Sequence, residues 1–346
     1  MSVRFYLPGD EGKIRKLFKE VFRKNFSAEH WNWKYQSAPN RFNPFCVIYE
    51  DQGEILGHAA LWVVDAYING VSSKIGFRVD TMVSPKARGK GVYKQLITKM
   101  MEKAQEEGIE YLYGFPASGA KAGLIKHTNA QELGDALKFR LILRPFSLLS
   151  CFHPKLSHVS RLHNIGNKLG RIRKNADEPA PFTVEEVERC DSRFDKLSEH
   201  NRKLSHVVVK RDSNYLNWRY VNHPERTYRI IALSDGECLK GYVIIRKAVV
   251  PYKEGTVNMG FILDWLAVKE NIYPHLFKTA VEFLSDCDII QTWGNLTNQV
   301  SIAALHSTGF KAGKEAATLV IQNPLLTSKF HRKKDWWITL GDTDTF

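Results

Sequence analysis

The sequence predicts an α/β protein of two tandem domains, each a mixed twisted sheet flanked by helices, the second a degenerate copy of the first. Three observations carry this expectation. At 346 residues the chain exceeds the length at which a single hydrophobic core stops growing. Asn32-Trp33-Lys34-Tyr35-Gln36-Ser37-Ala38-Pro39 recurs as Asn217-Trp218-Arg219-Tyr220-Val221-Asn222-His223-Pro224, an N-W-[KR]-Y-x-x-x-P word repeated at an offset of 185. The apolar pattern of the first half runs helix, strands, glycine loop, helix, strand, which is an α/β unit with a strand-to-helix crossover at its centre.

The first helix follows from Ile14, Leu17, Phe18, Val21 and Phe22, one face at 3.6-residue spacing, with Asp10 placed to cap it. Phe45 to Glu50 and Ile55 to Val64 read as strands about a turn at Asp51–Gly53, and Ile75 to Val83 as a further strand. Tyr93, Leu96, Ile97, Met100 and Met101 give a second helix, and Tyr111 to Phe115 a strand after it. In the second half, Gly236-Glu237-Cys238-Leu239-Lys240-Gly241 echoes Gly53-Glu54-Ile55-Leu56-Gly57, and Leu305 to Phe310 echoes Ile125 to Ala130 at an offset of 180. The domains are therefore expected at 1–145 and 182–346, with a basic linker at 146–181.

The formal charge of +13 calls for an anionic partner. It is unevenly placed: Lys138 to Ala176 holds nine Lys or Arg and no Asp or Glu. Apolar residues at threes and fours there (Phe152, Leu156, Val159, Leu162, Ile165, Leu169, Ile172) suit an amphipathic helix, packed across the domains or resting peripherally on an anionic membrane. No nucleic-acid module is visible, so no nucleic-acid partner is expected. Five scattered cysteines without a C-x-x-C pair point to a reducing cytoplasm and no structural metal. No stretch approaches the roughly 20 apolar residues of a spanning helix, and the start lacks a secretory signal.

The chemistry concentrates in Ser84-Pro85-Lys86-Ala87-Arg88-Gly89-Lys90-Gly91, between the strand ending at Val83 and the helix beginning near Val92. A short glycine-rich basic loop that opens a helix aims unpaired backbone amides and the positive end of the helix dipole at one point, which suits phosphate. It lacks the G-x-x-x-x-G-K-[ST] and G-x-G-x-x-G patterns of ordinary nucleotide folds.

Arg88-Gly89-Lys90-Gly91-Val92-Tyr93, preceded by Val83-Ser84-Pro85, resembles the [QR]-x-x-G-x-[GA] signature of the GNAT superfamily of N-acetyltransferases, most like its tandem members related to the enhanced-intracellular-survival acetyltransferases. Tyr93 stands where Gly or Ala is usual. The resemblance implies acetyl-CoA as cosubstrate and no metal. By it, the backbone of Met82 and Val83 pairs with the pantetheine arm, and the amides of Arg88, Gly89, Lys90, Gly91, Val92 and Tyr93 hold the pyrophosphate. It further implies a thioester seated where the strands of Val83 and Tyr113 splay apart, attacked by a neutral primary amine of a small molecule, an amino sugar for instance.

Proton transfer needs an acceptor and a donor. Asp80, three residues before Val83, is the first candidate acceptor, with a structural role open because Asp264 holds the matching place in the second half. The position where the superfamily often carries a Tyr acid is Ile125, which leaves His127, Tyr113, Ser118 and His58 as substitutes. The second half reads Asp264 to Pro274 where its loop should be, without Gly or Arg, so acyl-CoA binding is expected in the first half alone. A non-catalytic acyl-CoA-binding module and a tandem transferase using aminoacyl-tRNA are the competing readings.

Overall fold

A computed structural model describes residues 2–152, 182–295, 298–326, 330 and 332–345. Its strands, in chain order, are β1 Ser2–Phe5, β2 Phe45–Asp51, β3 Glu54–Ile68, β4 Val71–Val83, β5 Tyr111–Gly114, β6 Gln131–Ile142, β7 Thr183–Val187, β8 Val207–Val209, β9 Arg229–Asp235, β10 Cys238–Tyr252, β11 Gly255–Ala267, β12 Ile289–Gly294, β13 Lys311–Gln322 and β14 Trp336–Trp337. The fold is mixed α/β, and two compact units divide it. Unit 1 gathers Met1–Asp135, Arg202–Arg226 and Ala317–Trp337; unit 2 gathers Ala136–Asn201, Thr227–Ala316 and Ile338–Phe346. Neither is one continuous stretch of chain.

Unit 1 is built on the antiparallel run β1-β2-β3-β4, with β5 parallel to β4 and Val320–Gln322 of β13 antiparallel to β5. Gln52 and Gly53 both take positive φ (51° and 79°), as do Asn69 and Gly70 (52° and 80°), so both hairpins close on two left-handed residues that match the strand twist. β3 and β4 extend past the expected ends at Val64 and Ile75. The apolar pattern fades at Asp65 and Ser72–Lys74, but β8 pairs with Ala66–Ile68 and keeps those residues in the sheet.

The helix α1 (Glu11–Phe22) forms as its periodicity requires. Asp10 sits at its N-cap yet makes no side-chain cap, because its carboxylate is taken by Arg4 at 2.7 and 2.9 Å and by the Leu7 amide at 2.8 Å. After α2 (Ala28–Trp31), the helix α3 (Val92–Glu106) lays Val92, Leu96, Ile97, Met100 and Ala104 on a core with Leu61, Val63, Leu112 and Val320. The helix α4 (Ser118–His127) follows β5.

The strands of unit 2 are ordered β6-β12-β11-β10-β9-β7, and of these neighbouring pairs only β12 and β11 run parallel. No helix among the described residues is long and apolar enough to cross a membrane. Most of the basic connecting segment, residues 153–181, lies outside the described residues, and with it the expectation of membrane contact.

Candidate active site in unit 1

The site begins where two strands part. β4 and β5 pair only at Ile75–Phe77 with Tyr111–Tyr113. From Arg78 to Val83 the edge of β4 on that side carries no strand among the described residues, while its other edge continues along β3 through His58↔Met82 and Gly57↔Val83. The backbone edge at Met82 and Val83 is thus open to a ligand that can pair like a strand.

The loop after β4 is held at its start and open at its end. Buried Ser84 donates to Glu20 Oε1 at 2.9 Å and accepts from the Lys86 amide at 3.3 Å, starting the 3₁₀ turn Pro85–Ala87. Gly89 and Gly91 then take φ of 78° and 72°, and no atom lies within 4 Å of where a Cβ would stand on either. Gly91 is the N-cap of α3 and has no side chain to satisfy its first-turn amides. Arg88, Lys90 and Lys94 are exposed, with no ion-pair partner among the described residues. Open amides, an uncompensated helix dipole and three free cations around empty space fit a pyrophosphate. No group of three or more potential metal ligands occurs among the described residues.

Tyr93, which stands where the resembling signature has Gly or Ala, faces α4. Its hydroxyl donates to Ala120 O at 3.4 Å and its ring lies 3.3 Å from the Cβ position of Gly123. It ties the first turn of α3 to α4 through its side chain, which leaves its amide at the loop.

Asp80 occupies a β-bulge. Between the pairs Ala60↔Val79 and His58↔Met82, β4 has one residue more than β3, and Asp80 adopts φ 46°, the left-handed region that Asp tolerates better than most residues. Its side chain is 7% exposed, as is that of Lys34, whose Nζ lies 2.9 and 2.8 Å from the two carboxylate oxygens. The Tyr35 hydroxyl donates to Oδ2 at 2.5 Å. Burial alone would raise the Asp80 carboxyl, but the charge of Lys34 and the hydrogen bonds from Lys34 and Tyr35 outweigh it and hold it below the ordinary carboxylate range.

His58, fully buried on β3, contacts the Asp80 carbonyl through Nδ1 at 2.8 Å. A carbonyl only accepts, so Nδ1 carries the proton and Nε2 presents a lone pair, which is buried without a partner. Burial lowers the His58 pKa and keeps the ring neutral at pH 7.

The remaining sequence candidates are spread out. Tyr113 is buried on β5 with its ring against Phe77 at 5.0 Å and Trp336 at 5.8 Å. Ser118 opens α4 and His127 closes it, which separates them by about 14 Å at 1.5 Å per residue. Those two cannot serve one proton transfer together.

Lys34 and Tyr35 were not among the sequence candidates, although they stand inside the repeated word. That word is a π-helical turn in both places, Asn32–Gln36 and Asn217–Val221, and both lie in unit 1. Trp33 Nε1 donates to Trp218 O at 2.6 Å and Trp218 Nε1 to Trp33 O at 2.8 Å, with the rings stacked 5.5 Å apart. The Trp of each word locks the other, and the residue after Trp33 delivers the ammonium to Asp80.

Residues 2–123 match the family model of the acetyltransferase (GNAT) domain. A search of the curated proteins finds no match by sequence. Among solved structures the chain is similar to a GCN5-related N-acetyltransferase from Anabaena variabilis, with TM-score 0.66 and 12% identity over 93% of this chain and 73% of that one. It is also similar to a conserved protein of unknown function from Enterococcus faecalis described as a probable N-acyltransferase, with TM-score 0.65 and 11% identity over 94% and 72%. A third similarity is to Saccharomyces cerevisiae N-myristoyltransferase with bound myristoyl-CoA, with TM-score 0.59 and 9% identity over 92% and 82%. At such identities the likeness establishes the fold, which is that of the GNAT acyltransferases.

Proposed function

We propose, from a chain with the GNAT fold and a GNAT domain at 2–123, that it transfers a short acyl group from acyl-CoA, acetyl-CoA in the first instance, to a primary amine of a small molecule. The observation that carries this reading is the open glycine loop at the start of α3 beside the unpaired edge of β4. In this reading the amides from Arg88 to Tyr93, with the charges of Arg88 and Lys90, take the pyrophosphate. Met82 and Val83 pair with the pantetheine arm, which leads the thioester into the opening between β4 and β5.

The amine must lose a proton as its nitrogen bonds the acyl carbon and the carbon–sulfur bond breaks. We assign that proton to His58 Nε2, directly or through one water. The imidazole is neutral, its tautomer is fixed by the Asp80 carbonyl, and it lies one strand from the open edge. Asp80 is less suited, because protonating it would leave Lys34 buried without its counter-charge. Its part is to hold the bulge and, through its carbonyl, the histidine. The departing sulfur takes up a proton in turn, and proximity supplies much of the remaining acceleration. Amino sugars are the first acceptor class to test.

Release of free thiol from acetyl-CoA across a panel of small amines tests the reading. Amine-dependent release supports it; coenzyme A binding without release for any amine would make the chain a non-catalytic acyl-CoA-binding module.

A further inference from the structure

Arg78 is the first residue of β4 beyond its pairing with β5, and its side chain lies across Gly114: a Cβ there would stand 3.4 Å from Arg78 Cβ and 3.8 Å from Nη1. Its guanidinium makes long contacts, Nη1 to Val320 O at 3.5 Å and Nη2 to Leu112 O at 3.4 Å, and Nη2 donates to the side-chain oxygen of Gln322. No carboxylate meets it among the described residues. Arg78 Nε and Gln322 Nε2 are both buried donors without a partner. Burial pushes the Arg78 pKa down to about 9, so the group stays charged at neutral pH.

Arg78 is only half-buried, but its Nε is buried, and a buried unmet donor on a cation without a counter-charge, next to a second unmet amide donor, is costly unless an acceptor completes both. Gln322, 1% exposed, also lines a cavity of about 200 Å³ with Asn129, Gln131, Asn323, Ile321 and Leu326. The second half supplies a contrast: two residues before Asp264, as Arg78 is two before Asp80, stands fully buried Ile262. The charge occurs in the half that has the glycine loop.

We propose that Arg78 and Gln322 form a carboxylate-recognition site at the closed end of the opening between β4 and β5, taking an acidic group carried by the acyl chain or by the acceptor amine. The inference rests on the acyl-CoA reading above and narrows its substrate class. A guanidinium fork with an adjacent amide donor matches the two oxygens of a carboxylate. A coenzyme A phosphate fits the position less well, since Arg78 precedes Met82 by four residues, about 13 Å along a strand, on the side away from the glycine loop.

The test uses the full chain in two arms. In the first, succinyl-CoA and acetyl-CoA are titrated in parallel; in the second, with acetyl-CoA present, amino acids are compared with their carboxamides for thiol release. The expected result is an advantage of about ten- to hundredfold for the carboxylate member in one arm, which also tells the acyl source from the acceptor source. That advantage should vanish in Arg78→Met and Gln322→Leu and persist in part in Arg78→Lys, with coenzyme A affinity unchanged. Equal behaviour of both members in both arms would overturn the proposal, as would an advantage that survives Arg78→Met. A uniform loss of affinity for coenzyme A and all its esters in Arg78→Met would also overturn it, placing Arg78 in the phosphate cradle. If coenzyme A itself fails to bind, the acyl-CoA reading fails separately. Thermal stabilisation by succinate over succinamide, lost in Arg78→Met, then reads the carboxylate site alone, and no difference between the two overturns it.

Discussion

The helix α3 and the helix Tyr273–Phe283 of the second half each follow a strand with a β-bulge and a 3₁₀ turn, yet they begin differently. After the turn Pro85–Ala87 come the four residues Arg88 to Gly91 before α3 starts at Val92; after Glu270–Ile272 the helix starts at once with Tyr273. Arg88, Gly89 and Lys90 are exposed, whereas Ile272 and Tyr273 are buried at 4% and 1%. Pro274 removes a first-turn amide, and Glu270 is held by Asn298 Nδ2 at 2.6 Å. Both helices have a dipole and neither has a side-chain cap. What sets the start of α3 apart is therefore not its dipole but the inserted glycines and the open space above them.

Unit 1 is assembled from three stretches of chain, and the largest effect should come from dividing it. A fragment of residues 1–145 lacks 202–226 and 317–337, which supply Trp218, β8, β14 and the strand beside β5. It should show no cooperative thermal transition by circular dichroism. A monomeric fragment that melts cooperatively and retains activity would contradict this.

Next is the proton transfer proposed for His58. At the register of His58↔Met82 in β3 and β4, β10 and β11 hold Tyr242↔Leu266. His58→Gln should lower the acyl-transfer rate by about 10² to 10⁴ with acetyl-CoA affinity unchanged. A near-normal rate would move the proton elsewhere. The same variant should lose the pH limb belonging to a histidine whose pKa is lowered by burial.

The buried pair comes third. Asp80→Asn leaves Lys34 without its counter-charge and should cost about 3–5 kcal/mol in denaturant unfolding, most of it recovered by adding Lys34→Met. Because the folded pKa of Asp80 is depressed, its stabilisation is complete above the unfolded value of about 3.9 and is lost as pH falls through the folded value. Asp80→Asn should flatten that acid limb, and an unchanged acid limb would assign it to other carboxylates.

Much of this frame was legible in the sequence. The spacing of Leu96, Ile97 and Met100 could suit no element but a helix with one buried face, and a glycine loop between that helix and a strand has few uses. The partners were not legible. Nothing in the residues of β13 names the strand it joins, so they do not tell that Val320 lies beside Gly114. Lys34 reads as a solvated surface charge, since a lysine is buried only when a carboxylate elsewhere in the chain reaches it. Arg78 was hidden for the same reason in reverse: its unusual feature is a missing partner, visible only once its neighbours are in place.

A smaller effect probes the repeated word. Trp33→Phe and Trp218→Phe each remove one of two reciprocal indole hydrogen bonds, and each should cost about 1 kcal/mol. A double variant that departs from the sum would show that the two words act as one clasp, whereas strongly unequal single costs would deny the reciprocity.

Whether the glycine loop of the first half alone holds acyl-CoA is decided by calorimetric titration of the full chain with coenzyme A, beside Gly91→Glu. That substitution puts a carboxylate, on a Cβ strained by the left-handed backbone at this position, where the proposal places the pyrophosphate. One site per chain is expected in the wild type and no measurable binding in the variant. Two sites of similar affinity, or binding that survives Gly91→Glu, would contradict the assignment.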